Sequence, residues 1–223
     1  MFLFQRCPMK QCAILLAAFA LSSVPTLADD APANSVVTLD DSFDRAELGK
    51  EWKVNTGEWK IVDGVLKARE IPADKHSAAA RRVLSTQNAV YEVRFRFVGE
   101  AKAFHFGFDP ARGELTKKGH LFSVIVTPTS WRVLKHVDKA RPKEDPNKTL
   151  AEQKTPFKRG CWFTLRVTTW DKYVTAQIKG IDEKETFKVS HPTFGVKKPT
   201  LVFRCLGDGI EIDNVKVWTQ KKR

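Results

Sequence analysis

Alternation of aromatic and polar residues marks the first candidates for chemistry in this chain. From Ala89 to Asp109 the sequence reads AVYEVRFRFVGEAKAFHFGFD, with large apolar side chains at every second position on both sides of Gly99. His105 lies between core phenylalanines and shares its face with Asp109, so this pair is a candidate for general acid or base catalysis. The alternative interpretation is that His105 is a structural or merely exposed histidine.

Two groups of side chains have the composition of a sugar site. Sugars are bound by flat aromatic faces, which stack on C–H groups, and by planar polar groups, which pair with hydroxyls. The alternative is that the aromatic residues form a stabilising cross-strand pair and that the polar residues lie on the solvent-exposed face of a sheet. The first group is Arg94, His105, Asp109 and Trp131, and the second is Arg166, Trp170, Tyr173, Thr175 and Gln177.

Acidic residues near the two ends of the domain are candidate metal ligands. Carboxylates in the two regions would converge if the first and last strands pair, and oxygen ligands of this kind suit calcium. Asp and Asn in loops and bulges are the alternative explanation. No other cofactor is predicted, because the sequence has neither zinc-ligand cysteine spacing nor a phosphate-binding glycine loop. The calcium candidates are Asp41, Asp44 and Asp213.

These residues must be positioned by β-strands, because no segment shows a long stripe of helical periodicity. The chain predicts about twelve short strands and therefore an all-β, two-sheet antiparallel jelly-roll sandwich. Hairpins are predicted at Asp63-Gly64, at Asp171-Lys172 and around Gly99, and a bulge at Asp213-Asn214. Residues 137–158 are expected to be one long polar loop and a candidate lid.

Segment boundaries follow from composition. Residues 1–28 have two basic residues, a short apolar run and a small-residue cleavage site, so they read as a secretory signal peptide. We expect a disordered lead at 29–37, the sandwich domain at 38–219 and a basic tail at 220–223. The product should be exported to the periplasm or beyond, and no later segment has the length of a membrane span.

The charge and the cysteines limit the possible partners. The formal charge is +12, and removing Arg6 and Lys10 with the signal peptide lowers it to +10. A basic exported protein can bind an anionic polysaccharide. We do not expect nucleic acid as the partner, because the sequence has no dense run of basic residues apart from the last three. Cys161 and Cys205 remain after processing, and spacing leaves open whether they are bridged or free.

Three stretches resemble the concanavalin A-like lectin and glucanase superfamily. They read DSFDRAELGKEWKVNTGEWKIVDGVLKA, CWFTLRVTTWDKYVTAQIKGI and DGIEIDNVKVW, and the resemblance extends over residues 38–219. Within that superfamily the chain looks most like laminin-G-like and 3-keto-disaccharide-hydrolase-like exported bacterial domains. The resemblance implies a jelly roll whose concave sheet binds or cleaves glycans.

The chain departs from the retaining glucanases of that superfamily at their catalytic motif. Those enzymes need two carboxylates on one strand, spaced as Glu-x-Asp-x-x-Glu. The nearest string here starts at Glu211 and has Lys216 in place of the second Glu. We therefore expect an exported glycan-binding domain without that catalytic motif. The alternatives are a hydrolase or lyase of the 3-keto-disaccharide-hydrolase-like group and a polyanion binder.

Overall fold

The protein is built almost entirely from antiparallel strands. The structure, a computed structural model, describes residues 31–181 and 185–220. In this part of the chain two short 3₁₀ helices accompany thirteen strands. The strands are β1 (Ser35–Asp41), β2 (Trp52–Thr56), β3 (Glu58–Val62), β4 (Val65–Arg69), β5 (Ala78–Thr86), β6 (Ala89–Asp109), β7 (Phe122–Thr127), β8 (Ser130–Lys135), β9 (Lys148–Lys154), β10 (Phe163–Trp170), β11 (Tyr173–Lys179), β12 (Thr186–Ser190) and β13 (Lys198–Gln220).

Two long strands run through the whole fold. β6 pairs with β13 in antiparallel register from Ala89–Thr219 at one end to Asp109–Thr200 at the other. The predicted hairpin around Gly99 is therefore wrong: both halves of this segment pair with β13 rather than with each other. Residues 198–220 likewise form one long strand, β13, instead of several of the short strands that the sequence predicts.

Both long strands bend where glycines bring their backbones together. Gly207 and Gly209 have φ of +79° and +110°. A Cβ on either would lie 2.3 Å from a carbonyl oxygen of β6, that of Glu100 or that of Val98. Only glycine satisfies this combination of left-handed backbone and close approach.

The bend divides the strands into two layers. Sheet A has the order β12-β11-β10-β6-β13, with β1 and β4 then pairing with β13 and β3 outermost, and it uses the N-terminal half of β6. Sheet B has the order β9-β8-β7-β6-β13-β5-β2 and uses the C-terminal half of β6. Both sheets thus share the same two strands. The predicted all-β jelly-roll sandwich is confirmed.

Aromatic contacts show that the two halves of β6 face each other across the core. The rings of Tyr91 and Phe108 are 4.8 Å apart, and those of Phe95 and Phe104 are 5.3 Å apart. A straight strand would separate residues 91 and 108 by about 56 Å. The predicted burial of both aromatic runs in one core is therefore correct, although they belong to opposite layers.

Two shorter hairpins form as the sequence predicts. Asp63 and Gly64 both have positive φ, and the turn pairs Ile61 with Leu66. The β10–β11 turn likewise places Trp170 opposite Tyr173. A register shift after Asp213 confirms the predicted bulge in β13.

The segment predicted as one long polar loop contains strand β9 and is anchored at several points. β9 adds to the edge of β8, so residues 148–154 are part of sheet B. Asp138 is fully buried and accepts hydrogen bonds from the backbone N–H groups of Lys118 and Ala140. The prediction of one continuous loop is therefore wrong at residues 148–154, while a role of the segment as a lid stays a prediction.

The N-terminal strand starts earlier than the sequence predicts. Ser35–Val37 was expected to be disordered, yet it pairs with Trp218–Gln220 in β13. The predicted signal peptide and residues 221–223 lie outside the described residues. Cys161 and Cys205 are free thiols, and burial raises the pKa of Cys205. Neither of the described 3₁₀ helices has the length or apolarity that a bilayer crossing requires.

A glycine substitution at the bend tests the shared-strand architecture. We expect Gly209→Ala to lower the free energy of unfolding by at least about 3 kcal/mol, because the left-handed backbone and the clash with Val98 both oppose a Cβ. Gly113→Ala is the control, since its φ of +85° is similar but nothing lies within 4 Å of a Cβ. That change should cost about 1 kcal/mol. Equal losses in urea denaturation would contradict the proposed role of the bend.

Candidate functional site

The outward face of sheet B carries a row of basic side chains that crosses neighbouring strands. Backbone register places Arg204 of β13 beside His105 of β6, followed by Ile125 of β7 and Arg132 of β8. Outward positions alternate with the core phenylalanines 104 and 106, so these side chains lie on one surface. We call Arg204, His105 and Arg132 the basic row, in which the apolar Ile125 lies between His105 and Arg132.

Next to the basic row, at the end of sheet B, are two hydrogen-bonded pairs. His120 Nδ1 lies 2.5 Å from Asp109 Oδ1, and Ser123 Oγ lies 2.8 Å from His136 Nε2. The two imidazole rings are 5.4 Å apart in an edge arrangement. β6 ends at Asp109, β7 begins just after His120 and β8 ends just before His136, so three strand ends meet at this point.

Arg81 connects this end of the sheet to β5. Its Nε lies 3.2 Å from Asp109 Oδ2, and its guanidinium also donates to the Asn55 side chain. Asp109 is thus held between Arg81 and His120. These two partners keep the pKa of Asp109 below its usual range, although burial acts in the opposite direction.

The apolar side chains on this outward face are covered by the polar side chains around them, which makes the face recessed. Ile125 and Val202 point away from the main core, yet each is only 2% exposed. Gly107 lies between Val202 and Ser123 in the sheet, and a Cβ there would come 2.5 Å from Ser123 Oγ. Glycine is therefore needed for Ser123 to reach over the strand toward His136.

Burial keeps the two inner histidines neutral. Desolvation is the largest effect on both, and it lowers the pKa of His105 and that of His136 to about 3. The charge of Arg204 lowers both values further. At neutral pH these imidazoles can donate and accept hydrogen bonds but carry no charge.

Several donors in the basic row have no acceptor among the described residues. His105 Nδ1 and Arg132 Nε are buried and unpaired there. Arg204 donates only to Ser77 Oγ, at 3.3 Å from Nε and 3.0 Å from Nη2, and forms no ion pair within the described chain. Buried donors of this kind normally find a partner, which here must come from outside the described residues, from water or a ligand.

The predicted candidates are divided between the two sheets. His105 and Asp109 share the outward face of sheet B, whereas Arg94 lies on the outward face of sheet A, at the other end of β6. Sequence reasoning missed several side chains of the sheet B site because they lie on strands far apart in the chain or in loops without alternation. The missed residues are Arg81, His120, Ser123, Arg132, His136 and Arg204.

On sheet A the charged residues pair with one another. Arg94 lies 3.0 Å from Asp213, and Arg166 lies 3.1 Å from Glu92. Arg96 pairs with Glu211, and the guanidinium groups of both Arg94 and Arg96 lie 4.5 Å from the centre of the Trp162 ring. Glu211 and Asp213, the carboxylates of the incomplete glucanase string, are therefore engaged in ion pairs.

A cavity of about 390 Å³ opens on sheet A beside the bend, between β3, β4 and the two long strands. Its charges are also compensated internally. Glu58 pairs with Lys60 and Arg69, and Lys67 lies 3.5 Å from Glu211. The cavity therefore offers a ligand fewer free donors than the basic row of sheet B.

The predicted aromatic candidates have opposite environments. Trp170 and Tyr173 are 51% and 53% exposed at the tip of the β10–β11 hairpin, on the same face as Gln177. Trp131 is fully buried, and its ring stacks on Phe187 at 3.9 Å. The prediction that Trp131 contacts a ligand is therefore wrong, because its alternation places it toward the core.

Two of the three predicted calcium ligands, Asp41 and Asp213, are bound to other side chains, whereas Asp44 is not part of these pairs. Both carboxylate oxygens of Asp41 accept from the guanidinium of Arg45, and one also accepts from Trp52 Nε1 at 2.8 Å. Asp213 is paired with Arg94. Residues 31–181 and 185–220 contain no group of three or more acidic, histidine or cysteine side chains placed to hold a metal. A calcium ion at Asp41 would have to displace Arg45.

Comparison with known proteins identifies the fold. The laminarinase from Rhodothermus marinus is 12% identical and superposes with a TM-score of 0.62, covering 84% of this chain and 98% of the enzyme. The carbohydrate-binding module of the evolved Dit protein of Lactobacillus casei phage J-1 is 10% identical, with a TM-score of 0.61, covering 83% of this chain and 96% of the module.

A carbohydrate-binding module from Bacillus subtilis is 14% identical, with a TM-score of 0.51, covering 76% of this chain and 92% of that one. The chain has the concanavalin A-like jelly-roll fold. This confirms the fold that the resemblance implies, while membership of the superfamily and the link to 3-keto-disaccharide hydrolases stay predictions. No protein-family model matches the chain, and no curated protein matches it.

The buried histidines predict a specific dependence of stability on pH. Unfolding returns His105 and His136 to a pKa of about 6.5, so the unfolded chain binds more protons than the folded one between about pH 6.5 and 3. The free energy of unfolding should therefore decrease as the pH is lowered through this window, by up to about 2 kcal/mol per histidine between pH 6.5 and 4.5.

Urea denaturation checks this dependence, and His105→Gln should make it shallower. Trp170→Ala is the control, since it removes no titratable group and should leave the pH dependence unchanged. An NMR titration in which the ring of His105 gains its proton near pH 6.5 would contradict the proposed burial.

Proposed function

We propose that the protein binds carbohydrate on the outward face of sheet B. The observation that carries the proposal is the basic row, where His105 Nδ1 and Arg132 Nε are buried without an acceptor among the described residues and Arg204 donates only to the Ser77 hydroxyl. Sugar hydroxyls and ring substituents are oxygen acceptors, and sites for them combine a few fixed polar groups with a recessed surface. Several neighbours of the fold are carbohydrate-binding modules or glycan hydrolases by their descriptions, which supports this choice.

The pairing of charges favours sheet B over sheet A. On sheet A, Arg94 and Arg96 already have carboxylate partners, so a sugar hydroxyl would compete with an ion pair. On sheet B, Arg204 offers its guanidinium to a single hydroxyl, that of Ser77. A hydrogen bond to a charged donor contributes about 1.5–3 kcal/mol, so each such contact that a sugar makes here would strengthen binding by roughly tenfold to a hundredfold.

The aromatic pair Trp170 and Tyr173 is the second candidate for sugar contact. Both rings are about half exposed, and they lie across from one another on the outward face of sheet A. A sugar could stack on this platform without any of the sheet B residues. The two candidates therefore make opposite predictions for the same binding measurement.

Binding to a panel of soluble glycans separates these two sites. We expect Arg81→Met and His120→Gln to weaken binding at least about tenfold, because both side chains hold the Asp109 end of the recessed face. Trp170→Ala should leave the affinity unchanged. Isothermal titration calorimetry on the most tightly bound glycan gives the comparison. The reverse pattern would move the site to the aromatic pair, and no binding to any glycan would overturn the proposal.

A hydrolase acting on a 3-keto-disaccharide is the second candidate function, and the pairs Asp109–His120 and Ser123–His136 favour it. An imidazole hydrogen-bonded to a carboxylate is oriented and stabilised for proton transfer. Sequence reasoning named Asp109 for this role with His105, whereas the structure pairs Asp109 with His120. Either histidine pair lies within the recessed face.

Incubation with a 3-keto-disaccharide tests this second function. If the protein is an enzyme, we expect release of the reducing sugar, and both His120→Gln and Asp109→Asn should lower the rate at least about a hundredfold with folding retained. Trp170→Ala is the control and should keep full activity. Unchanged rates in the His120 and Asp109 variants would exclude this pair from catalysis.

A further inference from the structure

Arg204 carries a positive charge that forms no ion pair with an acidic side chain of the described residues. This guanidinium lies partly buried on sheet B, between Ala79 on β5 and His105 on β6, and its only described acceptor is the neutral hydroxyl of Ser77. The nearest other guanidinium on this face, Arg81, is compensated by Asp109. A partly buried cation without a counter-ion is costly, so its presence needs an explanation outside the folded chain.

The other two members of the basic row also have few acidic partners. Arg132 makes one long contact of 3.4 Å with Glu152, which is itself about half exposed, and its Nε has no acceptor in the described residues. His105 lies between the two arginines and holds an unpaired Nδ1. Arg204 and Arg132 are three strands apart, which places their backbones about 14 Å from each other, so both long side chains can reach a group above His105.

We infer that the basic row is a subsite for an anionic substituent, a carboxylate or a sulfate, on the glycan that this face binds. This inference rests on the proposed carbohydrate function and specifies its ligand class. A planar guanidinium binds such oxyanions through two parallel hydrogen bonds, which a lysine cannot reproduce. A neutral imidazole with a proton on Nδ1 adds a third donor without adding repulsion between cations.

Electrostatics on both faces agree with this assignment. Burial, together with the charge of Arg81, lowers the pKa of Arg204, although the Asp109 carboxylate acts in the opposite direction. An anion bound at the row would offset both effects. On sheet A the arginines Arg94, Arg96 and Arg166 each have a carboxylate partner, whereas Arg204 on sheet B has none in the described chain.

The experiment compares glycans that share a backbone and differ only in charge. Laminarin, carboxymethyl laminarin and laminarin sulfate form one series, and methyl-esterified and free hexagalacturonate form a second. At 0.3 M NaCl, which suppresses diffuse attraction between polyions, we expect at least one acidic form to bind about tenfold or more tightly than its neutral counterpart. The carboxylate and sulfate arms distinguish the two sources of negative charge.

Substitutions test whether the arginines of the basic row cause the preference for acidic glycans. Arg204→Met and Arg132→Met should each remove the preference for the acidic form, because each should weaken binding of the acidic form at least about tenfold more than binding of the neutral form. Lys188→Met is the matched control, because it removes one positive charge from an exposed position on sheet A and should keep the preference. Thermal unfolding provides a second readout: Arg204→Met should melt at the same temperature as the parent or higher, since the cation lacks a counter-ion.

The outcomes separate this inference from the proposed function. If neutral and acidic forms bind equally, or if Arg204→Met and Arg132→Met retain the preference, the anionic subsite is overturned while glycan binding stands. If no glycan binds, both proposals fail. Equal loss of preference in Lys188→Met, or equally tight binding of a single-stranded oligonucleotide, would show general attraction to polyanions and overturn the subsite.

Discussion

The pairing of β6 with β13 is the interaction on which the rest of the structure depends. These strands are the only ones in the described chain that belong to both sheets, and they stay in register through the bend. Gly207 and Gly209 allow that bend because their missing side chains let the carbonyls of Glu100 and Val98 approach. The two aromatic runs of β6 then face each other across the core, so a single strand contributes to both walls of the sandwich.

The same two strands build the candidate site. His105 and Asp109 come from the second half of β6, and Arg204 comes from the adjoining half of β13. Because the core demands phenylalanine at every second position, the positions between them must face outward and are free to be polar. The side chains there lie close together without any local sequence motif, since their neighbours across the sheet come from β5, β7 and β8.

The two outward faces differ in how their polar groups are satisfied. On sheet A, Arg94, Arg96 and Arg166 each pair with one carboxylate. Such ion pairs stabilise a solvent-exposed face only modestly, and they leave few unpaired hydrogen-bond donors for a ligand. Sheet B holds neutral histidines and arginines with incomplete pairing, an arrangement that costs stability and is typical of a functional site. The jelly-roll fold is shared by binding modules and enzymes alike, so this difference in pairing, and not the fold, carries the functional argument.

Sequence alone determined the class of fold, the core face and the local hairpins. Alternation around Phe95 and Phe106 is a property of neighbouring residues, and the Asp63-Gly64 turn needs only two positive φ angles. Tertiary structure decided the rest. Gly99 looked like a hairpin turn because alternation cannot tell a turn from a bend held by a distant strand, and β9 looked like loop because its edge position tolerates polar residues. Arg204 could not be joined to His105 because their proximity arises from pairing between segments about a hundred residues apart in the chain.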